Sequence, residues 1–232
     1  VGWDDELPAD IVKPWTKWWN MLDNLPEIKF PRCILGDMDP TLEVELHHFC
    51  DASEYAFGTT AYLRVVDPRI NKVHTALIRA KGKVAPTKGA TIPRLELCAG
   101  VEAVDLNSEL VSQMRLKIRR VYYWTDSEIV LKYLNSTHLR LKLFVANRVA
   151  HILGASTVSQ WRHVPTHLNP GDIISRGSTV ADLPELWKYG PPFLREPENK
   201  WPAQPSCNIP DDALEVKKPE RVFCAVVKQE DH

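Results

Sequence analysis

The chain has few of the cysteine and membrane signals that identify common protein classes. Its five cysteines stand at positions 33, 50, 98, 207 and 224, an odd number without CxxC spacing. Neither a disulfide framework nor a structural zinc site is therefore predicted, and a reducing compartment fits best. No apolar run approaches the roughly 18 residues that cross a bilayer, and the N-terminal residues lack the pattern of a signal peptide.

Several catalytic motifs are also missing. The sequence contains no GxGxxG, Walker loop, HExxH or GxSxG, which excludes the common nucleotide-binding, zinc-protease and serine-hydrolase interpretations. The net charge is only −1, from 29 basic and 30 acidic residues, so a nucleic-acid contact would need a local basic face. With 232 residues, 44% of them hydrophobic, the chain can bury a core. It lacks an initiator Met, which suggests a piece of something longer.

What is present is an ordered series of strand and helix patterns. Apolar alternation and short turns predict an antiparallel meander of three strands. A helix, a strand buried on both faces, two helices, a short strand and a last helix follow. The predicted ranges are strands 44–51, 58–66 and 74–84, helix 93–114, strand 120–125, helices 128–134 and 141–153, strand 159–165, and a helix from Pro170. The sequence therefore predicts an α/β domain.

The two ends of the chain read differently from the middle. A set of residues with helical spacing predicts an amphipathic helix: Ile11, Trp15, Trp18, Trp19 and Leu22. This helix is expected to pack on the domain behind it or on a neighbouring domain, and a ligand-stacking role for its aromatic stripe is the less favoured alternative. Residues 195–232 are rich in Pro and charged residues with little periodicity, which predicts a linker or tail.

Two acids follow predicted strands. Asp51 ends the first strand and Asp126 ends the buried strand 120–125. Ligands of α/β sheets gather beyond the carboxyl ends of strands, so both positions are candidates for chemistry. Asp is also common there as a turn former or helix cap, and that alternative stays open from position alone.

A third acid lies on the first long helix. Glu96 shares a face with Ala99, Gly100 and Ala103, small residues that let a helix approach a sheet closely. A carboxylate on such a face is costly to bury unless it is paired or bound to a cation, although it can also extend to solvent at the helix start. Glu102 and Glu109 are predicted to be more peripheral.

The last candidates lie after the final strand. His167 precedes Asp172 by five residues, in a loop of turn-forming residues that enters the last helix. A loop histidine is either an exposed side chain or a proton-transfer group. A basic cluster, Arg79, Lys81, Lys83 and Lys88, is either a solvated strand edge or a surface that follows phosphates.

Four carboxylates on four elements suit hard divalent cations, which prefer oxygen ligands. Two such ions about 3.5–4 Å apart can clamp the attacking and leaving oxygens of a phosphodiester displacement. The order of elements and acids resembles the RNase H fold. The motifs resemble the RNase H region of a BEL/Pao-type LTR retrotransposon polyprotein. They are HFCDAS at 48–53, IPRLEL at 92–97, WTDS at 124–127, FVANRV at 144–149, NPGD at 169–172, SRG at 175–177, Trp187, and Gly190-Pro191.

This resemblance implies a five-stranded mixed sheet, three antiparallel strands and then two parallel ones, flanked by helices. It implies a ribonuclease H that cuts the RNA strand of RNA/DNA hybrids during reverse transcription, with two Mg²⁺ ions or Mn²⁺ as substitute. Asp51, Glu96, Asp126 and Asp172 would be the metal ligands, His167 a further catalytic residue, and Ser53 and Ser127 substrate contacts. Gly171 departs from the Ala more usual there, and little effect is expected beyond a looser helix start.

The resemblance also implies a domain plan. Residues 1–42 would follow a reverse transcriptase polymerase domain, 43–194 would form the RNase H-like domain, and 195–232 would lead to an integrase. Such a polyprotein is expected in the cytoplasm, in virus-like particles, without a membrane partner. A second hypothesis is an inactive nucleic-acid-binding or connection domain, possibly of a domesticated element. An aspartic peptidase is disfavoured because no Asp-Thr-Gly or Asp-Ser-Gly occurs.

Overall fold

The structure is a computed structural model of the whole chain. It describes residues 2–23, 29–39, 41–136, 139–178, 185–206, 209–210 and 213–217. Among these, no helix is long and apolar enough to cross a membrane.

A five-stranded sheet forms the centre of the domain. The strands are β1 (Val44–Ala52), β2 (Ala56–Asp67), β3 (Lys72–Val84), β4 (Ile118–Thr125) and β5 (Trp161–His163). Their order across the sheet is β3-β2-β1-β4-β5. The β1–β2 and β2–β3 pairs are antiparallel, whereas β1–β4 and β4–β5 are parallel. This confirms the predicted mixed sheet and places β1 at its centre, beside β4.

The three helices with predicted limits, 93–114, 128–134 and 141–153, lie within two residues of them, whereas the helix at 185–189 is not predicted. The helices are α1 (Ala9–Met21), α2 (Ile92–Gln113), α3 (Glu128–Asn135), α4 (Leu143–Ala155), α5 (Gly171–Arg176) and α6 (Glu185–Tyr189). Short 3₁₀ turns at Val158–Gln160, Thr166–Leu168, Pro192–Arg195 and Glu198–Lys200 connect them or follow them. Pro93 lies in the first turn of α2, where its missing N–H costs no intrahelical hydrogen bond.

The two faces of the sheet carry different cores, because successive residues of a strand point to opposite sides. On one face Cys50 packs with apolar residues of α2, α3 and α4, such as Ala103, Leu134 and Ile152. On the other face Phe49 and Trp124 lie in an aromatic cluster, which we call the second-face cluster: Phe49, Tyr62, Tyr122, Trp124, Val164, Phe193, Leu194 and Trp201.

The second-face cluster changes the expectation for the C-terminal segment. Residues 195–232 are predicted to be a linker, but Trp201 is only 7% exposed and lies inside this cluster. Leu214 is also buried, in the core of the other face. Trp201 and Leu214 therefore pack on the domain, unlike residues of a free linker, whereas residues 218–232 lie outside the described part.

Helix α1 forms as predicted, but it does not pack on the domain behind it. None of its residues is buried, and Trp15, Trp18 and Trp19 are 44–57% exposed. Their rings contact one another, with centroids 5.0 to 6.4 Å apart. Packing on a neighbouring domain stays a prediction.

Helix α5 lies unusually close to the sheet. A Cβ on Gly58 of β2 would meet Ile174 Cγ2 at 2.7 Å and Lys81 O at 2.3 Å, and one on Gly82 of β3 would meet the same methyl at 2.8 Å. Glycine at both positions therefore lets Ile174 rest on the backbone of two strands. This contact brings the start of α5 to the end of β1.

Candidate active site

Asp51 and Asp126 meet at the carboxyl end of two neighbouring parallel strands. Cys50 and Thr125 are partners in the β1–β4 register, so the two acids that follow them lie side by side. Asp51 is only 6% exposed. The sheet thus places Asp51 and Asp126 next to each other, as predicted.

Helix α5 supplies further groups to Asp51. Ser175 Oγ donates a short hydrogen bond to Asp51 Oδ2. Gly171 lies against the same residue, since a Cβ there would be 3.1 Å from both N and Cβ of Asp51. The expectation that Gly171 affects only the looseness of the helix start is incomplete, because this position also sets how closely α5 approaches β1. Asp172, in the first turn of α5, pairs with Arg176 at 2.5 Å.

Glu96 lies on α2, which covers the face of the sheet that carries Cys50. Ser127 Oγ donates a short hydrogen bond to Glu96 Oε2. Ser127 Oγ also accepts from Val130 N at 3.3 Å and so caps α3. Burial and then the charge of Asp126 raise the pKa of Glu96, against the hydrogen bond from Ser127.

The carboxylates affect one another strongly. Burial, followed by the negative charges of Asp126 and Asp172 and a hydrogen bond with the Asp126 carboxyl, raises the pKa of Asp51 to about 7. The hydrogen bond from Ser175 opposes this shift. A buried carboxylate that faces two further acids forms a centre where a proton or a cation is favoured.

The donor chemistry of this centre fits a hard divalent cation, because its side chains offer carboxylate oxygens. Within the described ranges, no three His, Cys, Asp or Glu side chains stand in an arrangement that encloses a metal ion. Two of the four acids are held by other partners, Glu96 by Ser127 and Asp172 by Arg176. Cation binding therefore requires these two contacts to be exchanged or shared.

The other predicted site residues have different surroundings. His167 is exposed, in the turn Thr166–Leu168 after β5, and it lines a cavity next to α6. Ser53 Oγ accepts from Tyr55 N at 3.1 Å and donates to Ser175 O at 2.5 Å. Ser53 thus fixes the β1–β2 turn to α5, and Ser127 orients Glu96.

Asn169 and Ser175 are site residues that the sequence interpretation did not single out. Asn169 is 1% exposed. Its Nδ2 donates to Cys50 O at 3.1 Å and to Asp126 Oδ1 at 3.3 Å, and its Oδ1 accepts from Gly171 N at 3.0 Å. Both residues stand in the NPGD and SRG motifs, which are the only sequence signal for them.

Glu102, predicted to be more peripheral to the site than Glu96, is nevertheless buried. Glu102 is 5% exposed and pairs with Lys81, at 3.1 Å, and with Lys83. Arg79 pairs with Glu109 at 2.6 Å. Three members of the basic cluster therefore pair with acids of α2. This favours a strand edge over a phosphate-binding surface as the interpretation of these three residues.

Among solved structures, the chain is similar to two ribonucleases H1. RNase H1 from Halobacterium salinarum NRC-1 is 14% identical, with a TM-score of 0.37, over 57% of this chain and 94% of that one. LC11-RNase H1, solved in complex with an RNA/DNA hybrid, is 13% identical, with a TM-score of 0.39, over 61% of this chain and 100% of that one. No curated protein sequence matches the chain.

A family model gives a more direct assignment. The model of the Pao retrotransposon-like RNaseH-like domain matches residues 1–127, more than half of the 232 residues. The matched part runs from α1 through β4 and includes Asp51, Glu96 and Asp126. The chain belongs to the family of Pao retrotransposon-like RNase H-like domains.

Proposed function

We propose that the protein is a metal-dependent endonuclease that hydrolyses the RNA strand of RNA/DNA hybrids during retrotransposon reverse transcription. The observation that carries the proposal is the position of the buried Asp51, which lies beside Asp126 at the ends of β1 and β4 and is joined by Ser175 to α5, the helix of Asp172. A structural role alone gives no reason to bury acids that repel one another. Membership in an RNase H-like family supports the same conclusion.

The proposed metal ligands are Asp51, Glu96, Asp126 and Asp172, with two Mg²⁺ ions, or Mn²⁺ in their place. The chemistry that bound cations supply in such centres is activation of the attacking water and stabilisation of the leaving 3′ oxygen. Asp51 is the shared ligand in this proposal, since it lies beside Asp126 and is repelled by Asp172.

The remaining residues of the centre orient these acids. Ser175 and Asn169 hold Asp51 and Asp126 by hydrogen bonds, and Ser127 holds Glu96. Fixed orientation matters because misplaced ligands lower both metal affinity and rate. His167, exposed at the end of the second face, is proposed to move a proton for the leaving group or to assist product release. Selection of RNA would rest on contacts to 2′-hydroxyl groups.

The decisive experiment measures cleavage of a labelled RNA/DNA hybrid in Mg²⁺ and in Mn²⁺. Asp51→Asn and Asp126→Asn each remove one proposed ligand and are expected to abolish cleavage, with the thermal unfolding midpoint retained. Asp105→Asn is the matched control, because Asp105 lies on α2, its side chain is 44% exposed, and it pairs with His151 at 2.7 Å. Its cleavage rate should equal that of the wild type.

Wild-type cleavage by either Asp51→Asn or Asp126→Asn would contradict the assignment. A wild-type protein that binds the hybrid without cutting it at any metal concentration would favour the inactive binding or connection domain instead. The polymerase and integrase neighbours and the location in virus-like particles are proposed on the resemblance of the motifs alone.

A further inference from the structure

A cavity of about 200 Å³ lies beside the edge strand β3. Residues 29–34 of the segment before β1 form one wall, and Lys188, Tyr189 and Arg195 form the other. The β3 residues from Val73 to Leu77 lie between them. We call this cavity, with its continuation described below, the edge groove.

Both walls of the edge groove are attached to β3. His74 Nε2 donates to Ile34 O at 3.0 Å, and Lys72 pairs with Asp37 at 2.6 Å. On the other side, Thr75 Oγ1 donates to Tyr189 O at 2.8 Å. Two neighbouring residues of one strand therefore fix the two walls, so the edge groove is already formed before any ligand enters it.

The lining carries positive charge without a balancing acid. Lys29, Lys188 and Arg195 line the cavity, and no Asp or Glu is among its lining residues. None of the three forms an ion pair with another described residue. They differ in this from Lys81 and Lys83, which both pair with Glu102. Three cations that form no ion pair within the described part of the chain, around a mostly apolar cavity, favour an anionic ligand.

The same walls offer flat rings. Phe30 is 46% exposed and Tyr189 is 42% exposed. The Arg195 guanidinium carbon lies 5.7 Å from the centroid of the Tyr189 ring. Exposed aromatic rings next to cations are the combination with which proteins hold single-stranded nucleic acids, since bases stack on the rings and phosphates meet the cations.

The edge groove continues toward the candidate active site. A second cavity shares Tyr189 and Arg195 with the first and extends to Leu168 and His167. Glu185 also lines this second cavity, so the two cavities together carry three Lys or Arg side chains and one acid. One ligand long enough to occupy both cavities therefore reaches from the edge of β3 to the loop that carries His167. A single nucleic-acid strand has this elongated form, with a charge at every nucleotide.

We propose that the edge groove binds a single-stranded segment of nucleic acid that continues from the strand held at the nuclease centre. The inference rests on the proposed function for the identity of the ligand, and its binding site is distinct from the four acids. Tyr189 is the stacking platform, and Lys188 and Arg195 are the phosphate contacts.

The test is fluorescence anisotropy with a labelled 12-nucleotide oligothymidylate in EDTA, so that no cleavage takes place. Tyr189→Ala is expected to weaken binding by about 5- to 150-fold, the effect of losing one stacked base. Tyr189→Phe keeps the ring and should bind like the wild type. Both variants retain the backbone carbonyl that accepts from Thr75.

The contribution of Lys188 and Arg195 is measured by the salt dependence of binding. In Lys188→Gln/Arg195→Gln, the slope of log affinity against log salt should become shallower by about 1.4, because each phosphate contact to a single strand contributes about 0.7. Arg140→Gln is the control for a lost surface charge, since Arg140 is exposed in the loop between α3 and α4. Its slope should match that of the wild type.

Wild-type affinity in Tyr189→Ala together with a wild-type salt slope in the double variant would overturn the proposal. So would displacement of the oligonucleotide by an equal concentration of an acidic apolar peptide, which would identify the edge of β3 as a peptide site. Binding is measured without cleavage, so the two proposals are tested separately. A wild-type protein that fails to cut hybrids would refute the proposed nuclease, and the binding assay would still test the edge groove.

Discussion

At the scale of single residues, the acids of the candidate centre depend on neutral polar neighbours. Asn169 joins three elements, because it donates to the carbonyl of Cys50 in β1, donates to Asp126 after β4 and accepts from Gly171 at the start of α5. Replacing a hydrogen bond to a buried group with nothing costs more than the bond itself contributes, since the remaining partner stays desolvated.

Asn169→Ala is therefore expected to lower the free energy of unfolding by about 2 kcal/mol. It is also expected to reduce hybrid cleavage by about 10- to 100-fold, the usual effect of removing a group that orients a metal ligand. Urea denaturation and the cleavage assay measure the two effects.

Asn135→Ala is the matched control. Asn135 Nδ2 also donates to a carbonyl, that of Leu131 at 2.9 Å, but Asn135 is exposed at the end of α3. Its loss should cost less than about 1 kcal/mol and leave cleavage unchanged. Equal effects of the two substitutions would contradict the role of Asn169 as a link between the three elements.

The sequence predicts the acids better than their partners. Asp51 and Asp126 stand out because each ends a strand, and Glu96 because it shares a face with small residues. Asn169 stands in a stretch of turn formers, where an Asn is expected for the turn alone. Its buried bonds to β1 and Asp126 depend on the tertiary arrangement, which no local pattern encodes.

At the scale of elements, the position of α5 decides where Asp172 and Ser175 lie. This helix has only six residues, too few to be stable by its own hydrogen bonds. It is held by tertiary contacts, among them the packing of Ile174 on the glycines of β2 and β3 and the hydrogen bond of Ser175 to Asp51. The three long strands follow from their alternating pattern, whereas the place of α5 follows from these contacts.

Gly58→Ala tests the packing of Ile174. The new Cβ would lie 2.3 Å from Lys81 O and 2.7 Å from Ile174 Cγ2, so β3 or α5 has to move. We expect a loss of about 3 kcal/mol in the free energy of unfolding, typical of severe overpacking. Because Gly58 is the register partner of Asp51, cleavage should fall as well.

Gly154→Ala is the same substitution in open space. Gly154 lies in α4, and a Cβ there would have no neighbour within 4 Å. It should stabilise the protein by up to about 1 kcal/mol through helix propensity. A destabilisation of Gly58→Ala no larger than the change in Gly154→Ala would rule out close packing of α5 as the determinant of the centre.

At the scale of the whole molecule, the second face of the sheet is closed by residues distant in sequence. Trp201 contacts rings from β1 and β4, with centroids 5.3 Å from His47, 5.1 Å from Tyr122 and 5.6 Å from Trp124. Its Nε1 donates to Glu196 O at 3.1 Å. A single Trp in a Pro-rich stretch shows no periodicity, which is why the sequence predicts a linker there.

Trp201→Ala is expected to cost about 3–5 kcal/mol, as for other large buried aromatic residues. Trp15→Ala provides the comparison, since Trp15 is 55% exposed on α1 and its loss should change the free energy of unfolding by less than about 0.5 kcal/mol. Guanidinium denaturation of both variants measures the difference. Similar small effects would mean that the segment beyond residue 194 adds little to the fold.

The central claim is that carboxylates from four elements form one divalent-cation centre around Asp51. The most direct measurement is anomalous scattering from crystals of the protein grown in saturating Mn²⁺. The account predicts one or two Mn²⁺ peaks among Asp51, Glu96, Asp126 and Asp172, with Asp51 a ligand of each. Saturating Mn²⁺ without any peak among these four side chains would contradict it.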